Sequence, residues 1–302
     1  MKLVRIRNFG FWFLKIMFPI WQKIGIHITP NYFYSPIPDT RTLKDELWKK
    51  KSELVGIDIN EENQIKLLYQ FSSKFKLEYE SFPIDKASMP YQYYINNGEI
   101  ESVDGEILYC MIRLFKPKKI FEIGSGNSTY LSAQAILKNQ EDNGHECNLI
   151  VFDPYPSDVI KTGFPGLSKL VSIKTQEVPV SKFSELKDND ILFIDSSHVL
   201  KIGSDVQYEI LEILPRLRKG VIVHFHDIFL PAEYPKKWVL KAYRFWNEQY
   251  LLQAFLSFNN SFKVLWAGSY MHIKHPDKLE ASFSSYKREE RWPGGFWIRK
   301  IK

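Results

Sequence analysis

From Ile107 to the carboxyl terminus, short apolar runs alternate with stretches of helical spacing, and this rhythm constrains the fold more than any other feature of the sequence. Alternation of this kind is typical of a parallel sheet that is covered by helices on both faces. Seven runs are predicted to be strands, at residues 119–124, 148–153, 169–175, 190–195, 220–226, 262–267 and 294–301. The pattern predicts an α/β fold with a doubly wound, seven-stranded, mostly parallel sheet whose last strand is antiparallel.

The part of the chain before this alternation has a different character, and 302 residues are enough to bury such a sheet and carry appended elements. We predict three regions: a basic, aromatic segment at 1–38, a helical and loop-rich cap over the ligand site at 39–106, and a ligand-binding α/β domain at 107–302. Helical spacing also predicts a helix over 43–76, interrupted near Gly56, and another over 235–257.

The amino-terminal segment combines positive charge with a broad apolar surface. The first 38 residues contain no acid, and their basic residues are Lys2, Arg5, Arg7, Lys15 and Lys23. Apolar side chains cover most of the helix predicted between Phe9 and Ile26, but a lysine near its centre makes a membrane span costly. Residues 1–28 are therefore predicted to contact a membrane peripherally, or to dock on the protein's own core or on a second copy in a homo-oligomer.

Composition narrows the class of protein. The net charge of +6 arises from 41 Lys and Arg against 35 Asp and Glu, which is modest for this length. Cys110 and Cys147 form no Cys-x-x-Cys pair, so neither a disulfide framework nor a zinc finger is predicted. No small-residue cleavage site follows the apolar amino-terminal stretch, and we predict a cytoplasmic protein, peripheral at the inner face of the membrane if residues 1–28 bind lipid.

The stretch FEIGSGNSTYL at residues 121–131 is the most informative motif. A strand containing Glu122 leads through Gly124, Ser125 and Gly126 into a helix whose predicted cap is Asn127 or Ser128. Glycines at such a position let a ligand approach the backbone, and the start of the helix offers unpaired amides. Ser128 replaces the third glycine of the dinucleotide fingerprint, which weakens an NAD interpretation.

Asp153 ends the second predicted strand. An acid at this position is well placed to accept hydrogen bonds from both hydroxyls of a ribose. The alternative is that Asp153 caps only the turn that precedes Pro154.

Titratable side chains cluster after the fourth and fifth predicted strands. Asp195 and His198 follow the fourth strand, and His224, His226 and Asp227 end the fifth. Strand alternation places His224 and His226 on one face and Asp227 on the other, which argues against a two-His-one-carboxylate iron site. His224 lies deeper in the strand and is predicted to be a hydrogen-bonded core histidine.

Taken in order, the segments FEIGSGNSTYL, IVFDPYPS, DILFIDSSHV and GVIVHFHDI resemble the class I S-adenosylmethionine-dependent methyltransferases, in particular the macrocin O-methyltransferase-like branch. The resemblance covers about residues 107–267 and implies a Rossmann-like fold with S-adenosylmethionine as cofactor. It implies methyl transfer to a hydroxyl of a saccharide or another small molecule. The amino-terminal extension resembles that of a bacterial subset suspected of acting on glycans.

The resemblance also implies roles for individual residues. Glu122, Gly124, Ser125 and Gly126 would surround the methionine moiety. Ser128 would also bind the cofactor, and Asp153 would hold the ribose. Asp195 would lie at the amino-acid end of the cofactor or at a metal. In the metal-dependent members, acids after the fourth and fifth strands bind Mg²⁺, here Asp195 and Asp227, although His226 stands where a pair of acids is common.

Removal of the acceptor proton is assigned to His198, with Asp195 and His226 as further candidates. A nucleobase acceptor is not expected, because no Asn-Pro-Pro-Tyr type of signature follows the fourth strand, so no nucleic acid partner is predicted. Two rival functions remain open. One is an iron-dependent hydroxylase on the same scaffold, and the other is a non-catalytic, membrane-associated protein that has kept the fold.

Overall fold

The computed structural model describes the backbone of residues 2–86 and 88–302, with side chains from residue 12 onward. The chain divides into two compact units. One contains the residues up to 49 together with 235–245, and the other contains 50–234 and 246–302. The boundaries placed at residues 38 and 106 from the sequence stay predictions.

The second unit contains a seven-stranded sheet. Its strands are β1 (Lys119–Ile123), β2 (Asn148–Phe152), β3 (Lys169–Val171), β4 (Ile191–Ile194), β5 (Ile222–Phe225), β6 (Phe262–Ala267) and β7 (Phe296–Lys300). Their order is β3-β2-β1-β4-β5-β7-β6. β1 to β5 pair in parallel, and β7 is antiparallel to both β5 and β6. The predicted doubly wound, Rossmann-like fold is confirmed, and every strand lies within its predicted range.

The central strands β4 and β5 are buried on both faces, as expected for apolar runs in a parallel sheet. β4 shows how alternate side chains enter two separate cores. Ile191 and Phe193 pack into the core on one face, and Leu192 and Ile194 pack into the core on the other. Apolar residues recur at helical spacing from Val206 to Leu217, and these residues line the second core, so their spacing is explained by burial.

The helices connect these strands and precede them. They are α1 (Lys2–Lys23), α2 (Glu46–Lys49), α3 (Glu61–Tyr79), α4 (Asp104–Phe115), α5 (Asn127–Asn143), α6 (Asp158–Thr162), α7 (Val180–Phe183), α8 (Asp205–Tyr208), α9 (Leu214–Arg216), α10 (Lys236–Leu240), α11 (Glu248–Leu256), α12 (Gly268–Lys274) and α13 (Pro276–Ser282). A π-helical turn, Glu209–Ile213, joins α8 to α9. Short 3₁₀ turns lie at Thr40–Thr42 and Thr175–Glu177.

The helix predicted over 43–76 is interrupted near Gly56 and Ile59, as predicted, but the interruption is longer than expected and forms a loop over residues 50–60. Leu54, Gly56 and Asn60 all adopt positive φ angles, which a right-handed helix cannot include. The loop is held by hydrogen bonds instead, from the Ser52 amide to the Pro231 carbonyl at 2.8 Å and from Gln64 Nε2 to the Ile59 carbonyl at 2.6 Å.

The helix predicted over 235–257 is wrong in its middle, because it is broken at residues 241–247. Tyr243 has a φ of 54°, and Asn247 binds the loop after β4 rather than its own helix. Asn247 Oδ1 accepts the Leu200 amide at 2.6 Å, and the Asn247 amide donates to the His198 carbonyl at 3.1 Å. These contacts fix the start of α11 beside the end of β4.

The amino-terminal helix predicted from Phe9 to Ile26 is α1, which begins at Lys2 and ends at Lys23. The side chains of Lys2, Arg5 and Arg7 lie outside the described part of the chain. Within the ranges 2–86 and 88–302, no helix has both the length and the apolar composition needed to cross a bilayer.

Candidate functional site

The candidate site lies where the strand order reverses, between β1 and β4. In open α/β sheets, ligands bind at this point, beyond the carboxyl ends of the strands. The two strand ends approach closely here. The Asp195 amide donates to the Ile123 carbonyl at 2.9 Å, and a Cβ built on Gly124 would lie 2.1 Å from the Asp195 carbonyl oxygen. Gly124 also has a φ of 84°, so this position requires glycine.

The glycine loop is tied to the end of β2. Ser125 Oγ donates a short hydrogen bond to Asp153 Oδ2, and Asp153 Oδ1 accepts the Tyr155 amide at 2.7 Å. The predicted turn-capping role of Asp153 is therefore present. A carboxylate offers about four acceptor sites, so Asp153 keeps capacity for ligand hydroxyls. The two interpretations of Asp153 are compatible.

Glu122 lies behind the glycine loop and is buried. Its Oε1 accepts hydrogen bonds from Ser128 Oγ at 2.6 Å and from Thr129 Oγ1 at 3.1 Å. Burial raises the pKa of Glu122 to about 8, although these two hydroxyls oppose the shift. Its Oε2 is buried and has no hydrogen-bond partner among the described residues. Such an orphaned acceptor is typical of a site that a ligand or an ordered water completes.

The helix that follows the loop begins differently from the prediction. The residue that caps α5 is Gly126, and neither Asn127 nor Ser128 caps it. Ser128 is instead buried and bonded to Glu122, because the first turn of α5 packs onto the end of β1.

Glu99 also reaches the glycine loop, and sequence reasoning missed it. Its Oε2 accepts the Asn127 amide at 3.2 Å and Asn127 Nδ2 at 2.8 Å. A carboxylate at a helix N-terminus is stabilised by the unpaired amides and the helix dipole. Glu99 belongs to the 81–105 stretch of mixed Tyr, Asn and Gly, which carries no motif that could have marked it.

Three side chains that the sequence placed at neighbouring strand ends meet in space. His198 Nε2 lies 3.1 Å from Asp195 Oδ1 and 3.8 Å from Asp227 Oδ2. One ligand atom from each residue lies within 4.8 Å of the other two, which is a spacing that can hold a metal ion. Desolvation would raise the pKa of Asp195, but the charge of His226 and the hydrogen bond from His198 lower it to about 2. Asp195 is therefore ionised and available as a ligand.

Glu248 orients this histidine from the other side. Its Oε2 lies 2.8 Å from His198 Nδ1, and Glu248 is only 1% exposed. The indole of Trp246 packs against the imidazole, with ring centroids 4.3 Å apart. Burial lowers the pKa of His198, but the hydrogen bonds to Asp195 and Glu248 outweigh it and raise the pKa well above its usual value. In the absence of a metal ion, the contacts with Asp195 and Glu248 favour the protonated form of the His198 imidazole.

His198 and Asp227 share an unusual backbone conformation, with φ angles of 58° and 55°. Positive φ is uncommon for residues with side chains and costs about 1 to 3 kcal/mol, and it clusters at functional sites. Both residues follow strands that have already ended, so the alternation of side chains along a strand no longer applies to Asp227. The left-handed turns direct the two side chains toward each other, which periodicity could not predict.

His226 and His224 have different surroundings. His226 Nε2 lies 3.3 Å from the Glu99 carbonyl, and its Nδ1 is buried without a partner in the described structure. Burial would lower the pKa of His226, but the carboxylates of Asp227 and Asp195 raise it. The prediction that His224 is hydrogen-bonded is wrong, since neither ring nitrogen has a partner among the described residues. The ring of His224 stacks on the ring of Phe193, with the two centroids 4.2 Å apart. Burial lowers the pKa of His224 well below the usual value.

The segment that builds this site matches a known family. Residues 121–228 match the model of the family described as Methyltransferase domain. An uncharacterized protein of Archaeoglobus fulgidus is 31% identical to this chain over 178 residues, which are 56% of this chain and 78% of that protein.

Two solved structures are similar over most of the chain. The O-methyltransferase from Bacillus cereus in complex with SAH is 11% identical, with a TM-score of 0.36, over 96% of this chain and 100% of that one. The SAH-bound methyltransferase from Podospora anserina is 14% identical, with a TM-score of 0.38, over 91% and 100%. These values are too low for any conclusion about the reaction. This chain therefore belongs to the same family as the archaeal protein, and its residues 121–228 are similar to the methyltransferase domain that the family model describes.

Proposed function

We propose that this protein transfers the methyl group of S-adenosylmethionine to a hydroxyl of a saccharide or another small acceptor. The observation that carries the proposal is the glycine loop at the switch point of the sheet, with Asp153 bonded to Ser125 on one side and Asp195 against Gly124 on the other. This arrangement lies inside the segment that matches the methyltransferase family model. The proposal includes membership of the macrocin O-methyltransferase-like branch of these enzymes, which the sequence motifs resemble.

The residues present fit this cofactor. Asp153 retains acceptor sites for two ribose hydroxyls. Gly124 and Gly126 have no side chains, and glycines let a ligand approach the backbone of such a loop. Glu122 contributes a buried oxygen, Oε2, that has no hydrogen-bond partner among the described residues. S-adenosylmethionine would supply a methyl group activated by its positively charged sulfur. The protein's part is to align donor and acceptor and to remove the acceptor proton.

The Asp195, His198 and Asp227 cluster fits a divalent cation such as Mg²⁺. Two carboxylates and one imidazole form a donor set for a hard or borderline metal, and their ligand atoms are close enough to share one ion. Such a cation would lower the pKa of a bound hydroxyl. Glu248 holds Nδ1 of His198, so Nε2 is the nitrogen that faces the two aspartates. A carboxylate behind a ligating histidine is a common feature of metal sites.

The geometry favours the metal over His198 as a general base. Both ring nitrogens of His198 already face carboxylates, so neither is directed toward an acceptor hydroxyl. The Nε2 of His226 faces the Glu99 carbonyl in the same way. A base must reach the proton that it removes, and neither nitrogen of His198 is free to do so. The remaining nitrogen of His226, Nδ1, has no partner in the described structure, but it is buried.

Calorimetry with S-adenosylmethionine and S-adenosylhomocysteine tests the first half of the proposal. We expect both to bind the full chain, and we expect Asp153→Asn to weaken both. If neither compound binds, the protein is not a methyltransferase of this type. That result would favour the non-catalytic protein that has kept the fold.

Turnover on a panel of sugars and lipid-linked glycans, with and without EDTA, tests the second half. Loss of methyl transfer in EDTA that Mg²⁺ restores would support the metal site. Activity unchanged by EDTA but lost in His198→Ala would support His198 as the base. Oxygen-dependent hydroxylation that requires added iron would favour the hydroxylase, whose typical ligands are two histidines and one carboxylate rather than the one histidine and two aspartates of this cluster.

A further inference from the structure

The first compact unit exposes an apolar stripe along α1. Phe13, Ile16 and Ile20 follow one another at spacings of three and four residues, which places them on one face of the helix. Their side chains are 48%, 50% and 51% exposed. Ile24, one residue beyond the end of the helix, continues the stripe and is 65% exposed. Large aliphatic and aromatic side chains in a continuous exposed row mark an interaction surface rather than a normal solvated helix face.

Another side of α1 is covered by the chain that follows it. The Phe18 ring stacks on His27 with centroids 5.5 Å apart. Leu14 and Phe18 line a groove together with Ile28 and Pro30. The helix therefore already has its intramolecular packing partner, and the Phe13 to Ile24 stripe is left outside that contact.

The chain after α1 adds more exposed apolar surface. Ile26 is 49% exposed, and the loop residues Phe33 and Tyr34 are 91% and 78% exposed. Ile37 is 47% exposed and lies within the same basic, acid-free stretch. Aromatic side chains of this kind are enriched where one end of a side chain is apolar and the other is wet, as at a membrane interface.

Charge decides which partner suits this surface. The first 38 residues carry five Lys and Arg and no acid, and two of them, Lys15 and Lys23, are exposed on α1. A second copy of the chain would bring the same positive charge to the contact, so self-association through this face would be opposed by repulsion. An anionic lipid surface offers negative headgroups for the lysines and acyl chains for the stripe.

We propose that residues 1–37 dock this protein peripherally on anionic membranes. α1 lies in the plane of the interface, the stripe Phe13, Ile16, Ile20 and Ile24 enters the headgroup boundary, and Lys15 and Lys23 contact the lipid phosphates. The proposal does not depend on methyl transfer. A chain that fails to bind S-adenosylmethionine is still expected to bind lipid.

Vesicle flotation of the full chain tests the proposal. We expect flotation with vesicles of phosphatidylcholine and phosphatidylglycerol at low salt, and little flotation with phosphatidylcholine alone or at high salt. Ile16→Glu with Ile20→Glu should lower the bound fraction by roughly tenfold or more, because two charges would enter the boundary. Leu77→Glu is the matched control, since Leu77 is 88% exposed on α3 and should leave flotation unchanged.

The lysines are tested separately with Lys15→Glu and Lys23→Glu, which should abolish the preference for anionic vesicles. Circular dichroism and calorimetry with S-adenosylhomocysteine on every variant show whether the fold of the second unit is retained. The proposal is overturned if the wild type does not float with anionic vesicles. It is also overturned if the Ile16 and Ile20 double variant floats as well as the wild type, or if that variant changes only the oligomeric mass.

Discussion

Replacing Asp153 with asparagine is the sharpest test of where the cofactor binds. In the structure, Asp153 Oδ1 accepts the Tyr155 amide at 2.7 Å and Oδ2 accepts the Ser125 hydroxyl. Asparagine keeps one oxygen for the Tyr155 amide, so the turn after β2 is retained. Its NH₂ group replaces the oxygen that faces Ser125, and an NH₂ group cannot accept a hydrogen bond from a ribose hydroxyl.

The expected loss follows from the hydrogen bonds removed. Bonds to a charged group contribute about 1.5 to 3 kcal/mol each, and a buried hydroxyl left unpaired costs a similar amount. Losing one hydrogen bond to the ribose and weakening the other should cost about 2 to 3 kcal/mol of binding free energy, which is roughly a 30- to 160-fold rise in the Kd for the cofactor. Asp153→Ala should cost at least as much, because it also leaves the Tyr155 amide and the Ser125 hydroxyl unpaired.

Isothermal titration with S-adenosylhomocysteine measures this loss. Asp158→Asn is the matched control, because it removes the same charge five residues away, where Asp158 is exposed and pairs with Lys161 at 3.0 Å. The control should bind as the wild type does. A Kd for Asp153→Asn within roughly twofold of the wild type, with an unchanged circular dichroism spectrum, would refute the placement of the ribose.

Three further predictions follow from other contacts. Burial, partly opposed by the Ser285 hydroxyl, raises the pKa of Glu106 from 4.5 to about 7. The folded state holds this proton more tightly than the unfolded state does. The free energy of unfolding should therefore fall by roughly 3 kcal/mol as the pH rises from about 4.5 to beyond 7. In urea unfolding, Glu106→Gln should not show this fall with pH. Gly124→Ala should lower the thermal unfolding midpoint more than Gly126→Ala, since its Cβ would meet backbone at 2.1 Å rather than the flexible end of Glu99 at 2.7 Å. Glu248→Gln should weaken Mn²⁺ binding by roughly 10- to 100-fold in calorimetry. If the variant and the wild type bind Mn²⁺ equally well, Glu248 does not support the metal site.

The sequence by itself determined the sheet. Each strand is marked in the sequence by a short run of mostly apolar residues, because a strand that is covered on both faces has to be largely apolar. Such a run is a local property of the sequence. The glycine loop and the acids Asp153 and Asp195 were also predictable. All of them follow strands, and the carboxyl ends of parallel strands meet at one edge of the sheet.

Only the tertiary structure decided how the side chains of the site face one another. Glu248 lies 50 residues from His198, and Glu99 lies 28 residues from Asn127, so no spacing in the sequence connects either pair. The direction of His198 depends on a left-handed backbone turn after the strand has ended, where periodicity no longer reports side-chain orientation. The breaks at residues 50–60 and 241–247 have the same origin, because the backbone there is held by hydrogen bonds to distant segments that outweigh helical spacing.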